Sequence, residues 1–235
     1  MPKEFDGAAE RYDLMCRLNP GYRGHLARSA GHLPELIGGR ILDLCCGTGL
    51  STHAIVASHP ESTIIGLDAS KGMLEYARRK KWVERVTFVH GDAMDPLATG
   101  IAAPFDAVFM AYGIRNVPDP DRCLENLRSV IKPGGTLVLH EYTLDGRRRS
   151  RWIWRAITTS VVIPLGRFLT GRAHLFRYLR ESVVKFDRVD RLVERVAAAG
   201  FDNPTAHGVG GWQSGIVHTV VARNPQATDK GPASC

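Results

Sequence analysis

Three carboxylates stand at or near the ends of successive apolar runs: Asp43 inside 41–45, Asp68 after 63–67 and Asp92 after 86–90. Between the first two lies Cys45-Cys46-Gly47-Thr48-Gly49. A Gly-x-Gly turn from strand into helix brings backbone unusually close to a bound small molecule. A carboxylate after the second strand can accept both hydroxyls of a ribose. One after the third can accept the exocyclic amine of adenine, while the N–H of Ala93 reaches a ring nitrogen. The place of the third glycine in a dinucleotide fingerprint is taken by Thr52. Three acids in this order repel phosphates and favour a cation. S-adenosylmethionine, an adenosine with a sulfonium and an ammonium, meets that pattern better than NAD does. Any one of these aspartates alone reads equally well as a helix cap or a strand end. The ordered set around the turn is what points to a site.

The elements that must hold these residues alternate along the chain. Strands are expected at 41–45, 63–67, 86–90, 105–111 and 136–141, then near 203–208 and 215–222. Helices are expected over 7–36 with a break at Asn19-Pro20-Gly21, and at 49–58, 71–80, 120–131 and 188–199. Ser70 can cap the third of these, His59-Pro60 ends the second, and Lys132-Pro133-Gly134-Gly135 stops the fourth. Near-continuous apolar strands alternating with helices predict an α/β, Rossmann-like parallel sheet with helices on both faces. Residues 147–180 break the rhythm, being rich in arginine and aromatics, and read as a helical cap over the sheet. The expected organisation is a helical lid (1–37), a cofactor-binding core (38–146), the cap (147–187), a segment completing the sheet (188–223) and a disordered tail (224–235).

The 235 residues are 44% apolar and carry a net charge of +7, which fits an ordinary globular protein with a basic surface. The five cysteines are odd in number and include no C-x-x-C pair, so neither a zinc site nor a disulfide framework is expected. That usage points to a reducing cytoplasm. The adjacent Cys45 and Cys46 read as small packing residues. No apolar leader is expected at Met-Pro-Lys-Glu-Phe-Asp. The most apolar stretch, Trp152 to Leu169, is interrupted by Arg155, Pro164 and Arg167 and is too polar to span a bilayer.

With these residues in view, the chain resembles class I S-adenosylmethionine-dependent methyltransferases, which have a seven-stranded sheet. Phe109-Met-Ala-Tyr-Gly-Ile-Arg-Asn-Val117 is similar to the segment after the fourth strand in the quinone-biosynthesis C-methyltransferases. Phe5-Asp-x-x-Ala-x-x-Tyr-Asp-x-Met15 is similar to their opening helix, and Arg177-Tyr-Leu-x-Glu-Ser182 to a late segment. Gly134-Gly135 is shared more widely. The resemblance covers about residues 5–222. It departs at Cys45-Cys46, at Ala111 where the family often has serine, at Asp92 and at Gly211-Trp-Gln-Ser-Gly-Ile-Val217. It implies that Thr48, Asp68, Asp92 and Ala93 contact the cofactor and that Arg115 and Asn116 line the reacting centre. The full candidate cofactor wall adds Cys45, Gly47, Gly49, Ala69, Met73, Gly91, Ala111 and Tyr112.

Those enzymes methylate demethylmenaquinol or polyprenyl benzoquinol rings, so the implied substrate is a small, polyprenylated aromatic. Another small aromatic or polyketide metabolite would use the same fold. A cofactor-binding protein without turnover is a third reading. Methyltransferases that target nucleic-acid amines usually carry Asn/Asp-Pro-Pro-aromatic where this chain has Ala111-Tyr-Gly-Ile, so nucleic acid is not expected. Methyl transfer is an in-line displacement whose rate depends on alignment. Arg115 is a candidate to stabilise a phenolate or position a water. Asn116 reads as a hydrogen-bond partner of a ring oxygen or as an Asx turn before Val117-Pro118. Tyr12 and Asp13 would close as a lid, with the Tyr12 ring near the sulfonium. His140 is a candidate general base, with Glu141 on the opposite strand face. Arg147, Arg148, Arg149 and Arg151 with Trp152 and Trp154 read either as an interfacial membrane signature or as a solvated helix.

Overall fold

The computed structural model describes residues 9–171 and 173–226. Seven strands, β1 (Arg40–Leu44), β2 (Thr63–Asp68), β3 (Val86–His90), β4 (Phe105–Ala111), β5 (Ile131–Tyr142), β6 (Asp202–Gly208) and β7 (Val217–Arg223), make one sheet. Their order is β3-β2-β1-β4-β5-β7-β6. The first five run parallel, and β7 is antiparallel to both β5 and β6. The chain reverses its direction of travel across the sheet between β1 and β4. In an open α/β sheet that switch point is where a ligand crevice forms.

Strand alternation assigns each side chain to a layer. Leu42, Leu44, Val108, Met110, Leu137 and Leu139 face α5 (Pro120–Val130) and α9 (Val189–Ala198). Ile41, Ala107, Phe109 and Val138 face α2 (Tyr22–Ala30) and α3 (Leu50–Ser58). The Ser70 side chain caps α4 (Lys71–Arg78), accepting from the Met73 N–H at 3.2 Å. Asp119 caps α5 through the Arg122 N–H, with Pro120 in the first turn where its missing N–H costs nothing.

The cap is α6 (Arg148–Ile157), a π-helical segment (Thr158–Val162) and α7 (Ile163–Thr170) in one continuous run, followed by α8 (Ala173–Lys185). Two local causes widen the run. Pro164 supplies no N–H to the preceding turn, and the Thr158 hydroxyl donates to the carbonyls of Trp154 and Arg155. Among the described residues no helix is long and apolar enough to cross a membrane.

Three expectations are corrected. Residues 31–36 are not helical; α2 ends at Ala30 and Gly31 follows it. β5 starts at Ile131 rather than 136, because α5 passes directly into the strand and 132–135 form a bulge between the Phe105–Ile131 and Ala107–Thr136 pairs. Asn224 does not belong to a disordered tail. It is buried, and its side-chain amide donates to the carbonyls of Arg128, Ile131 and Lys132, pinning the end of β7 to that bulge. Phe5 and Asp6 of the opening motif, and tail residues 227–235, lie outside the described residues.

Candidate active site

A cavity of 760 Å³ opens over the carboxyl ends of β1, β2 and β4, between the glycine turn below and the cap above. Its floor is made by backbone in unusual conformations. Gly47 has φ +53°, and a Cβ built there would meet no protein atom, so the space beside it belongs to the cavity. Cys45 and Tyr112, the residues after β1 and β4, hold φ of 59° and 56° without being glycine. Left-handed backbone at a non-glycine residue costs on the order of 1–3 kcal/mol and persists where surroundings over-determine it. Gly113 supplies that constraint: a Cβ there would lie 2.8 Å from Cys45 Cβ and from Met110 Cγ, so only glycine lets the two strand ends approach.

Asp68 ends β2 on the cavity wall. One carboxylate oxygen accepts the Gly47 N–H at 2.8 Å and the other the Ser70 N–H at 2.8 Å. Burial raises its pKa above the ordinary carboxylate value, and those two N–H groups pull it back. Asp92 stands exposed on the same wall beside buried Ala93, and its Oδ1 accepts the Met94 N–H at 2.9 Å. Cys45, Thr48, Ala69, Met73, Ala111 and Tyr112 also line the cavity. Among the described residues, the one lysine or arginine that lines the cavity is Arg115. A cavity with acids at its polar end and no phosphate-binding cation there fits a cationic adenosine compound.

Above the turn, Asp13 draws α1 (Ala9–Leu18) down. Its Oδ1 accepts from Thr48 Oγ1 at 2.7 Å and from Lys80 Nζ at 2.9 Å, and Lys80 also donates to the Thr48 carbonyl. Asp13 itself is buried away from the cavity, while Tyr12 lines it. Tyr12 joins Tyr22, Tyr112 and Tyr142 in an aromatic wall. Tyr112 stacks on Tyr22 with centroids 5.4 Å apart and lies 4.7 Å from the Tyr142 ring. The neighbouring Cys16 thiol and burial raise the Tyr12 pKa, burial raises the other three, and burial pushes Cys16 up to about 12. These groups keep their protons at neutral pH.

Arg115 sits in the 3-10 turn after β4, at the join between the polar floor and the cap. Glu141 holds it twice, accepting from Arg115 Nη1 at 2.5 Å and from the Arg115 backbone N–H at 3.3 Å. Both side chains are buried, at 5% and 1% exposure. Burial raises the Glu141 pKa and Arg115 opposes that rise. From the cap, Ser182 accepts from Arg115 Nε at 3.1 Å, and Tyr178 donates to Asn116 Oδ1 at 3.3 Å. Residues 178 and 182 are one turn apart on α8, so a single helix face grips two successive residues of the turn. The Asn116 amide donates to the Tyr112 carbonyl at 3.0 Å, a bond back into the turn rather than forward to Val117-Pro118.

Four expected site residues lie elsewhere. His140 is fully buried behind the aromatic wall and does not line the cavity. Its Nε2 meets the Tyr112 hydroxyl at 3.0 Å and its Nδ1 meets Thr219 Oγ1 at 3.0 Å. Burial pushes its pKa down to about 3, so it does not take protons near neutrality. Asp43 shares a strand face with Ile41 and points into the core, where Ser51 and Thr52 donate to Oδ2, and burial pushes it up to about 7. Gly49 packs under Trp82, whose ring a Cβ would strike at 2.8 Å, and Gly91 packs against Thr99. Trp154 is buried as part of the cavity roof, not exposed at a membrane interface. Conversely, Asn19, Tyr22, Tyr142 and Trp212 line the cavity without any local motif to announce them.

Solved structures share the fold. The CurJ carbon methyltransferase superposes with a TM-score of 0.67 at 16% identity, over 96% of this chain and 61% of its own. The Haemonchus contortus phosphoethanolamine N-methyltransferase 2, in complex with S-adenosyl-L-methionine, gives 0.66 at 16% identity, over 96% and 60%. The sheet order, the glycine turn at the switch point and the acid-lined cavity define a class I methyltransferase. The ubiE/COQ5 methyltransferase family matches residues 3–221, and the chain belongs to that family. The demethylmenaquinone methyltransferase of Clavibacter sepedonicus is 37% identical over 201 residues, covering 84% of this chain and 80% of the relative. That of Thermus thermophilus is 36% identical over 202 residues, covering 84% and 90%.

Proposed function

We propose that this enzyme transfers a methyl group from S-adenosylmethionine to a ring carbon of a demethylmenaquinol: the S–CH3 bond breaks to leave S-adenosylhomocysteine, the C–CH3 bond forms, and the displaced ring proton is released as H+. One observation carries the reading: the cavity has two chemically unlike ends. The floor offers Asp68 and Asp92, while the roof is apolar, built from Trp154, Ile157, Leu165, Leu175 and Leu179. A polar adenosine suits the first and a lipid-tailed ring the second, with Arg115 and Asn116 between them. The names of the relatives support the same substrate.

In this reading Asp68 takes the ribose hydroxyls, Asp92 and Ala93 the adenine edge, and the tyrosine wall faces the cationic centre. The bound cofactor supplies an electrophilic methyl on sulfur. Glu141 and Ser182 occupy two of the Arg115 guanidinium nitrogens, leaving Nη2 for a ring oxygen. A guanidinium does not give up its proton in a protein, so Arg115 acts by stabilising developing phenolate charge rather than as a base. The apolar roof excludes water from the reacting carbon.

The test incubates the purified protein with a reduced demethylmenaquinone and a methyl-labelled donor. The expected result is label on the ring carbon with equimolar release of S-adenosylhomocysteine. Label on a soluble phenol, with none on the quinol, overturns the substrate assignment.

A further inference from the structure

The charge of this molecule is unevenly distributed. Between 147 and 185 there are ten basic residues and one acidic residue, a net of +9, so the rest of the chain carries −2. The basic excess of the whole protein therefore resides in the cap. The helical run of the cap buries Ser150, Trp154, Thr158, Gly166 and Thr170 against the protein. Its opposite side presents Trp152 at 71% exposure and Phe168 at 85%, among exposed arginines. Between α6 and α8 a surface cleft of 420 Å³ is lined by Arg155, Thr159, Arg180, Glu181, Val184 and Lys185. Arg180 pairs loosely with Glu181 at 3.8 Å, while among the described residues no carboxylate pairs with Arg155 or Lys185. Leu18 and Val161 are both exposed and both line the cavity, which marks its mouth on the side where α1 meets the cap.

We propose that the cap is a docking surface for an anionic bilayer. Arg155, Arg180 and Lys185 hold a lipid phosphate, while Trp152 and Phe168 enter the boundary between headgroups and acyl chains. Cations interspersed with exposed large apolar side chains match that boundary. A surface for duplex nucleic acid would instead set polar groups beside the cations along a track of phosphates, and binding to single strands, which also use aromatic side chains, is separated from lipid binding by the test below. The proposal does not depend on the substrate assignment, because a surface can bind lipid whatever ring is methylated inside.

Cosedimentation with phosphatidylglycerol–phosphatidylcholine vesicles tests it, using the full chain. Partition onto anionic vesicles at low salt, its loss at high salt and no partition onto phosphatidylcholine alone are expected. Each cation removed should weaken partition about fivefold, so Arg155→Gln, Arg180→Gln and Lys185→Gln together should cost on the order of a hundredfold. Trp152→Gln with Phe168→Gln should abolish quenching of tryptophan fluorescence by brominated lipid. Thermal melts of every variant check folding, since none of these residues lines the cavity. Absence of anionic-vesicle binding, binding that the triple variant leaves unchanged, or tighter binding to single-stranded or duplex DNA than to vesicles overturns the proposal.

Discussion

The floor and the roof of the cavity are built on opposite principles. The floor is backbone and short polar side chains, fixed at strand ends by constraints that reach a few residues along the chain. Asp68 is held by Gly47 and Ser70, and Cys45 by the absence of a Cβ at Gly113. The roof is an inserted helical layer whose large side chains face inward, joined to the floor through Ser182–Arg115 and Tyr178–Asn116. Under the proposed function, the rigid floor is what recognises the methyl donor. A separate roof lets the acceptor pocket change without disturbing that recognition.

Breaking one end alone should therefore leave the other intact. The largest effect is expected at the buried ion pair. Glu141→Leu strands the Arg115 cation and should cost about 3–5 kcal/mol of stability, read by denaturant unfolding. Arg115→Ala should lower kcat on the order of a hundredfold with little change in the calorimetric affinity for S-adenosylhomocysteine. Asp68→Ala should do the reverse. Losing two charge-assisted hydrogen bonds at about 1.5 kcal/mol each weakens that affinity on the order of a hundredfold. Ser182→Ala combined with Tyr178→Phe cuts the ties between roof and floor, and should raise the acceptor KM about tenfold while S-adenosylhomocysteine affinity stays unchanged. If donor affinity falls with it, the two ends are not separable.

The last effect shows only in acid and concerns the layer behind the tyrosines. His140 is neutral in the fold with its pKa depressed to about 3. Its contribution is present above the unfolded value of about 6.5 and is lost as pH falls toward the folded one. His140→Leu should flatten the acid limb of a melting-temperature profile across that window. An unchanged limb would assign acid lability to other groups.

The strands, the glycine turn and the sheet class were legible because their signals are local: apolar runs of five to seven residues with Gly or Asp at their ends. Asp43 shows where local reading fails. It resembles Asp68 in type and spacing, but it precedes the strand end and its side chain enters the core, so Ser51 and Thr52 consume it. The expectation for His140 fails for a related reason. Strand alternation correctly puts it opposite Glu141, but the left-handed turn at Tyr112 swings a ring across that face and seals it from the cavity. Tyr22, Tyr142 and Trp212 gave no signal, since only packing between distant segments brings them to one wall.

The π-helical segment of the cap has a consequence in the language of insertions. Such a segment is an α-helix carrying one surplus residue, and it survives where function favours it. Here Val161 and Val162 of that segment line the cavity, and α7 follows it directly. Deleting a single residue between 158 and 162 would restore a plain helix and draw in the wide turn that carries Val161 and Val162 to the cavity, while α7 keeps its buried face, because a π turn absorbs its surplus residue locally. The acceptor pocket of this enzyme can thus be reshaped by a change of length rather than a change of side chain.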